Sequence, residues 1–264
     1  MKKYLKLYFT YAKLSLMSKF AYKANLFLGL FAFLITQAVS LLTLFLLVRT
    51  VPSIEGYTMY QIGLLFGIAN LALGIDHLFT DRLWTIAYNE VRNGKVDHLF
   101  LRPLPLLFQV IASEIQLEAF GEILTGVGLI IFCSLNVTLT VTFGGVFLVI
   151  LGILCATALI ASFKVMASSI AFVTKRSGPL LQFMYNFATY VKYPIKIFPK
   201  FIQYILLFVL PLGLALSVPF DNLLNPVYPW YYVALIMVAV TAIFVTLSLF
   251  VWKTLSRRYE STGT

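Results

Sequence analysis

The feature that most constrains this chain is an apolar run, residues 143–173, in which Lys164 is the only charged residue. About 20 consecutive apolar residues are enough to cross the hydrocarbon core of a bilayer as a helix. Within lipid every backbone polar group needs an internal partner, so only helices and closed barrels span it. Barrel strands alternate apolar and polar residues, and runs such as 41–48 do not. The sequence therefore predicts an all-α integral membrane protein.

Composition extends this prediction to the whole chain. Of its 264 residues, 61% are hydrophobic and 11% charged, against about half and about a quarter in an ordinary soluble domain. There is room for about six spans of about 20 residues, and we expect one membrane domain, residues 1–264. The net charge of +10 comes from basic residues at the ends of apolar segments. This placement indicates that they set the membrane topology and contact lipid headgroups, and it does not favour a nucleic-acid partner. Cys133 and Cys155 lie in apolar segments without CxxC spacing, so we expect no disulfide and no metal site.

The first 23 residues carry six lysines and no acidic residue. On a helical wheel Lys2, Lys6, Thr10 and Lys13 share one arc, which is the pattern of a helix lying in the membrane interface. Lys19 falls outside this arc, so the helix is expected to end before it. A secretory signal is the alternative, but lysines recur in its apolar region and no small-residue cleavage site follows.

Seven apolar stretches can be distinguished, and the basic residues decide how many cross. The basic loop between Arg82 and Arg102, the Lys175-Arg176 turn and both basic termini are expected on the cytoplasmic side. With both termini inside, the number of crossings is even, so one stretch does not cross. The clear spans are residues 25–48, 58–79, 115–135, 143–173 and 231–252.

The two ambiguous stretches flank a segment with three lysines. We assign residues 178–193 to the fifth span and residues 199–219, which contain prolines, to a re-entrant element on the outer face, because broken helices are tolerated where protein or water covers them. Charge bias supports the alternative, in which Lys192, Lys196 and Lys200 are cytoplasmic and residues 201–218 form the fifth span.

Three carboxylates recur at a spacing of four in the third span. Glu114, Glu118 and Glu122 would share one helical face, and carboxylates at that depth should face protein, water or a partner. In one interpretation Glu114 is interfacial and the other two are hydrogen-bonded within the bundle. In the other, the carboxylates form a polar stripe beside a substrate path or a counter-charge to Lys164.

Other polar residues in the spans have simpler interpretations. The long side chain of Lys164 is expected to snorkel toward the cytoplasm. Asp76 and His77, near the end of the second span, are expected to be solvated or to cap the helix, and a proton relay is the less favoured alternative.

Motifs of catalysis are absent from the sequence. It contains no Gly-x-x-x-x-Gly-Lys-Ser/Thr phosphate loop, no His-Glu-x-x-His, no Gly-x-Ser-x-Gly and no cluster of Cys and His ligands. We therefore expect no enzymatic activity, no catalytic residue and no cofactor in this chain.

The loop after the second span is the most polar part of the chain. Seven of the 30 charged residues lie between Asp81 and Arg102. Here the spacing predicts a short amphipathic helix that ends at Asn93-Gly94, since Gly adopts the left-handed conformation that stops helices. Such a helix can lie on lipid or fit a groove in another protein. Its apolar face is formed by Leu83, Ile86, Ala87 and Val91, flanked by Trp84 and Tyr88, with Glu90 and Arg92 turned to water.

Residues spread along the chain carry a resemblance to a family. They are Gly94-x-Val96-Asp97-x-Leu99-x-x-Arg102-Pro103-Leu104, then Tyr193-Pro194, Phe198-Pro199 and Pro211, then Trp252 and Arg258-Tyr259-x-Ser261-Thr262-Gly263. In order and spacing the chain resembles a permease subunit of ABC type-2 exporters, in the branch associated with antibiotic export. Val96 stands where this family would have leucine.

The resemblance implies an architecture. It comprises six spans, an N-terminal interfacial helix, a cytoplasmic coupling helix between spans two and three, and a re-entrant outer segment before span six. It also implies a multi-pass location in the bacterial plasma membrane, a separate ATPase dimer that binds ATP and Mg²⁺, and a second permease chain, identical or related. Closure of the ATPase dimer would push on the coupling helix and rock the bundle.

Candidate residues follow from this resemblance. Residues 83–91 would bear on the ATPase and residues 94–105 would carry the push into span three. The coupling residues are Arg82, Leu83, Trp84, Ile86, Ala87, Glu90, Val91, Arg92, Gly94 and Asp97. The substrate path is expected to include Glu118, Glu122 and Lys164, and its cargo to be small, amphipathic or drug-like.

Two other functions are compatible with the residues. An ion-coupled secondary transporter would use Glu118, Glu122 and Lys164 as a relay, but such folds show internal repeats and none is found between the two halves. A membrane immunity protein or scaffold is the other alternative, against which the intramembrane carboxylates argue weakly.

Overall fold

The computed structural model describes residues 2–50, 53–137 and 142–261, which form a bundle of helices and a two-stranded hairpin. The elements are α1 (Lys2–Ala21), α2 (Lys23–Thr50), β1 (Ser53–Ile54), β2 (Tyr57–Thr58), α3 (Met59–Thr80), α4 (Arg82–Thr85), α5 (Asp97–Phe100), α6 (Leu106–Ala112), α7 (Phe120–Ser134), α8 (Phe143–Thr174), α9 (Gly178–Thr189), α10 (Lys200–Tyr204), α11 (Leu212–Leu224) and α12 (Trp230–Ser256). Single turns of other helical types follow α4 and α10, and further ones precede α7 and α10.

Among the described residues, five helical segments are long and apolar enough to cross a membrane. A sixth arises if α10 and its following turn are counted with α11, although the two pieces are bent by 104°. The prediction of an all-α integral membrane protein is confirmed. The five segments are Lys23–Leu46, Met59–Thr80, Leu117–Ser134, Phe143–Thr174 and Trp230–Ser256.

Helix α3 is the most enclosed of these five and packs between α7 and α8. Its contact with α7 is close because two glycines face each other: a methyl group on Gly67 would lie 2.9 Å from the carbonyl oxygen of Gly126, and the reverse holds at the same distance. Small residues at such crossings let helix backbones approach in lipid, where packing and not the hydrophobic effect drives association. Thr58 begins α3 with a capping box, accepting from the Gln61 amide while the Gln61 side chain accepts from the Thr58 amide.

The chain's two described ends meet the same region of the bundle. In α1, Ser15 accepts a hydrogen bond from the backbone of Ile115, and Tyr11 accepts one from Arg102. At the other end, Tyr259 donates to Asp97. Both ends therefore lie on the same side as residues 81–116. The structure extends α1 to Ala21, so the prediction that it ends before Lys19 was wrong.

The third span differs from the prediction of one helix over residues 115–135. Gln116 has an extended backbone, and α7 begins only at Phe120 after a single 3-10 turn. Tertiary bonds explain the break, since the amide of Gln116 donates to the carbonyl of Leu78 and its side chain accepts from Lys19. Glu114, Glu118 and Glu122 therefore do not share one helical face.

Contacts at the two ends of α9 bear on the choice of the fifth span. The residue before α9, Ser177, donates from its backbone to Ala87, so α9 begins beside the polar loop. Beyond its far end, Lys196 forms a 3.1 Å ion pair with Asp221 and lies 5.3 Å from the ring centroid of Tyr57 in the hairpin. These contacts favour α9 as the fifth span, which stays a prediction because α9 has only 12 residues.

Cysteine labelling tests this placement. Lys196→Cys or Lys200→Cys should react with a membrane-impermeant maleimide in intact cells, because both positions are exposed at the hairpin end. Lys95→Cys should react only after permeabilisation. The native thiols Cys133 and Cys155 are buried and should give little background. Reaction of Lys196→Cys and Lys95→Cys under the same condition would refute α9 as a span.

Candidate functional site

The connection between α3 and α6, residues 81–105, folds as the amphipathic segment that its spacing predicted. Helix α4 continues into a π-helical turn over Ile86–Glu90, and Gly94 takes a φ of 64°, the left-handed conformation that ends the helical path. Leu83, Ile86 and Val91 are fully buried. They form one apolar cluster with Phe172 of α8 and Trp252 of α12.

This burial changes the role of the apolar face. It was expected to contact an ATPase, but Leu83, Ile86, Ala87 and Val91 pack against the protein's own helices. Trp84 is partly buried and its ring lies edge-on to Tyr185 of α9, with centroids 5.4 Å apart. Hydrophobic spacing shows that a helix has an apolar face and does not show which protein covers it.

The opposite edge of the connection is polar and exposed. Glu90 does not extend into water as predicted, because it pairs with Arg82 at 3.3 Å and accepts a 3.1 Å hydrogen bond from Thr85. Arg82 also donates to Ser113. The side chains that remain exposed are basic or uncharged, and Leu101 beside them is 85% exposed. This exposed edge consists of Thr85, Asn89, Arg92, Asn93, Lys95, His98, Leu101 and Arg102.

A buried charge cluster lies where α3 meets the connection. Lys164 of α8 is 1% exposed, and its Nζ lies 2.6 Å from Asp76 Oδ2 and 2.9 Å from Asp81 Oδ1. It also donates to Thr80 at 3.3 Å. Lys164 therefore does not snorkel, and Asp76 is neither solvated nor a helix cap, because each is the other's counter-charge inside the bundle.

A second buried pair joins α3 to α7. His77 Nδ1 lies 2.6 Å from Glu122 Oε2, and the His77 ring packs on Tyr185 with centroids 5.4 Å apart. Glu118 instead pairs with Lys19 of α1 at 3.2 Å. Glu118 and Glu122 of the predicted stripe thus belong to two separate pairs, and neither is the counter-charge of Lys164.

Sequence reasoning missed Asp76, Asp81 and His77 as partners of these groups. The spacing of Asp76 and Thr80, four residues apart on α3, was the available signal, since such residues share a helical face. Within residues 2–50, 53–137 and 142–261, no group of three metal-ligating side chains comes together.

The end of the bundle that carries the hairpin, which the charge distribution predicts to face outward, holds a cavity of about 510 Å³. Tyr57 donates a 2.5 Å hydrogen bond to Asp221, which also pairs with Lys196. Burial, together with the Asp221 hydrogen bond, raises the pKa of Tyr57 to about 12. The phenol therefore stays protonated well above neutral pH, and this bracket joins three segments of the chain.

Replacing the buried lysine tests the charge cluster. Lys164→Met leaves Asp76 charged and unpaired, which should lower stability by about 3–5 kcal/mol and reduce the thermal midpoint measured in detergent. Adding Asp76→Asn to Lys164→Met should recover part of the lost stability, since it removes the unpaired charge. Lys253→Met, which alters an exposed lysine of α12, is the control. A Lys164→Met protein as stable as this control would contradict the cluster's role.

The apolar face makes a second prediction. Leu83→Asp places a carboxylate in a fully buried site and should destabilise the protein by about 4 kcal/mol or more, so that size-exclusion chromatography shows aggregation. Asn89→Asp adds the same group on the exposed edge and should leave the elution profile unchanged. Equal profiles for the two variants would show that Leu83 is not buried.

Comparison with known proteins agrees with this architecture. The model of the family described as ABC-2 family transporter protein matches residues 34–263, which is most of the chain. Comparisons with curated proteins and with solved structures found no match. The matched range includes the buried charge cluster, the connection and the last helix. The chain therefore belongs to the ABC-2 family of transporter proteins and is a membrane-spanning permease component of an ABC transporter.

Proposed function

We propose that this chain is a permease subunit of an ATP-driven exporter, and that a separate ATPase dimer contacts the exposed edge of the connection. Membership of the ABC-2 family supports an ATPase partner. The sequence supplies no phosphate loop of its own, so ATP and Mg²⁺ belong to that partner. The cargo is a small amphipathic or drug-like molecule, as the family resemblance implies.

The observation that carries this proposal is the two-sided construction of the connection. Its inner face is fixed to α8 and α12 through the apolar cluster, while its outer edge presents Arg92 and Lys95 to solvent. A force on the edge therefore reaches the bundle through packed side chains, which have little freedom to yield. Lys164 of α8 adds an ionic link to Asp76, near the end of α3, and to Asp81, the residue that follows this helix.

The contact residues differ from those expected from sequence. Leu83, Ile86, Ala87 and Val91 act as the internal anchor, and the ATPase meets Arg92 and its exposed neighbours. The net positive charge of this edge favours an acidic groove on the ATPase. Gly94 supports the edge through its left-handed turn.

A second permease chain is part of the proposal. Helix α9 exposes Gln182 and Asn186, which hydrogen-bond to each other at 2.9 Å. Amides on a membrane helix need protein or water beside them, since lipid offers no partner. We therefore place the cargo path, between two permease chains, along this face of α9.

Of the three path residues expected from sequence, Glu118 borders the larger space. It lines a cavity of about 230 Å³ together with Lys19. Glu122 and Lys164 are enclosed by their partners and would meet cargo only after the bundle rearranges. The protein is proposed to reside in the bacterial plasma membrane with both termini in the cytoplasm, as the basic ends indicate.

Charge reversal on the exposed edge tests the ATPase contact. The Arg92→Glu/Lys95→Glu variant should fold normally, because both side chains are exposed. It should retain about tenfold less ATPase, equivalent to about 1.4 kcal/mol, when purified from its native membrane. The ATPase is identified as a chain that carries a phosphate loop and is labelled by azido-ATP.

The matched control reverses two exposed lysines of α1, in Lys6→Glu/Lys13→Glu. It makes the same change in net charge on α1, outside the connection, and should retain the ATPase. Normal ATPase recovery with the Arg92→Glu/Lys95→Glu variant would reject the proposed contact.

A further inference from the structure

The last described residues fold back onto the connection and bind one carboxylate with two hydroxyl groups. Tyr259 Oη donates to Asp97 Oδ1, and Ser261 Oγ donates to Asp97 Oδ2, each at 2.7 Å. Both oxygens of Asp97 are therefore held by the segment after α12. Hydrogen bonds to an ionised acceptor are stronger than those between neutral groups.

Ring contacts hold the same segment against the bundle. The Tyr259 ring stacks on Phe100 of α5, with centroids 5.1 Å apart and planes at 9°. Its edge meets Phe172 of α8 at 5.8 Å. Lys175, which ends α8 in a left-handed conformation, lies 5.1 Å from the Tyr259 ring centroid and donates to the Glu260 carbonyl.

The ionisation states of Asp97 and Tyr259 at neutral pH favour the hydrogen bond between them. The hydroxyl donors of Ser261 and Tyr259 hold the pKa of Asp97 below its ordinary value. Burial, and then the hydrogen bond to Asp97, raises the pKa of Tyr259 to about 12. The carboxylate therefore stays charged as pH falls through its usual range, and the phenol keeps its proton until pH approaches about 12, above the value of about 10 for a free tyrosine.

The position of Asp97 gives this contact a consequence. Asp97 begins α5, which carries the exposed His98 and leads directly to Leu101, 85% exposed. These residues belong to the exposed edge proposed to meet the ATPase. The connection thus has two contacts with the C-terminal part of the chain. One is the segment 259–261, and the other is the apolar cluster around Trp252 of α12.

We propose that residues 259–261 form a clasp on Asp97 and Phe100 that positions the exposed edge and transmits its movement to α12. This inference rests on the proposed function, since the edge must bind an ATPase for its position to matter. Tyr259, Ser261 and Asp97 are positioning residues, because none of them needs to touch ATP or cargo. Opening the clasp leaves the ATPase bound and weakens the transmission of its ATP cycle to the outer end of the bundle, because the apolar cluster around Trp252 is then the remaining contact with α12.

The experiment uses the permease purified with its ATPase and reconstituted in nanodiscs. Asn225→Cys, an exposed residue beside the outer cavity, reports on the outer end through its rate of maleimide labelling. The rate is measured without nucleotide and with Mg-ATP plus vanadate. In the otherwise unchanged protein, the nucleotide should alter this rate.

The clasp is opened with Tyr259→Phe/Ser261→Ala, which removes both hydroxyl groups and keeps the stacked ring. Asp97→Asn is a second variant that removes the charge and changes one atom. Both should keep the ATPase and lose most of the nucleotide-dependent change in labelling. Restoring a hydroxyl with Ser261→Thr in the Tyr259→Phe background should recover part of it. Tyr231→Phe/Ser134→Ala removes the same groups elsewhere and should behave as the unchanged protein.

The remaining outcomes overturn the proposal in distinguishable ways. An unchanged labelling response in both clasp variants shows that the segment has no positioning role, while the ATPase contact stands. Loss of the ATPase in the clasp variants alone makes the segment part of the docking surface and rejects positioning. Failure of the unchanged protein to retain any ATPase rejects the proposed function and the clasp with it.

Discussion

A lysine enclosed by helices in a membrane needs anionic partners, and Lys164 obtains them from Asp76 and Asp81. Desolvation of three charges is costly, and removing one partner leaves the others uncompensated. The cluster therefore fixes α8 against the end of α3 at the point where the chain leaves the membrane for the connection. The placement of Leu83, and through it of the exposed edge, depends on this attachment.

Long apolar runs were readable from the sequence because hydrophobicity over about 20 residues is a local property. The break before α7 was not readable, because it depends on tertiary contacts of Gln116. The amide of Gln116 donates to the carbonyl of Leu78, and its side chain accepts from Lys19. The spacing of the carboxylates then gave a wrong prediction of a shared face. Glu118 precedes the first residue of α7 and Glu122 follows it, in a stretch that was expected to be one continuous helix. Tertiary contacts of this kind leave no periodic signal.

The connection shows the same limit at finer scale. Its spacing correctly separated an apolar face from a polar one, and Gly94 correctly marked a left-handed turn. Which protein covers Leu83 depends on Phe172 and Trp252, distant in sequence. The resemblance had singled out Asp97 and Tyr259 in two separate motifs, and the structure joins these residues by a 2.7 Å hydrogen bond that their separation in the sequence does not predict.

The facing glycines of α3 and α7 have a mechanical meaning. Gly67 and Gly126 leave no room for a methyl group where α3 and α7 cross, so the two backbones are in direct contact and we expect the two helices to move together. Displacement of the α3 end beside the connection would then tilt the helix and move its opposite end, which lies beside the hydrogen bond between Tyr57 and Asp221. The glycine crossing would thereby carry a tilt of α3 into α7.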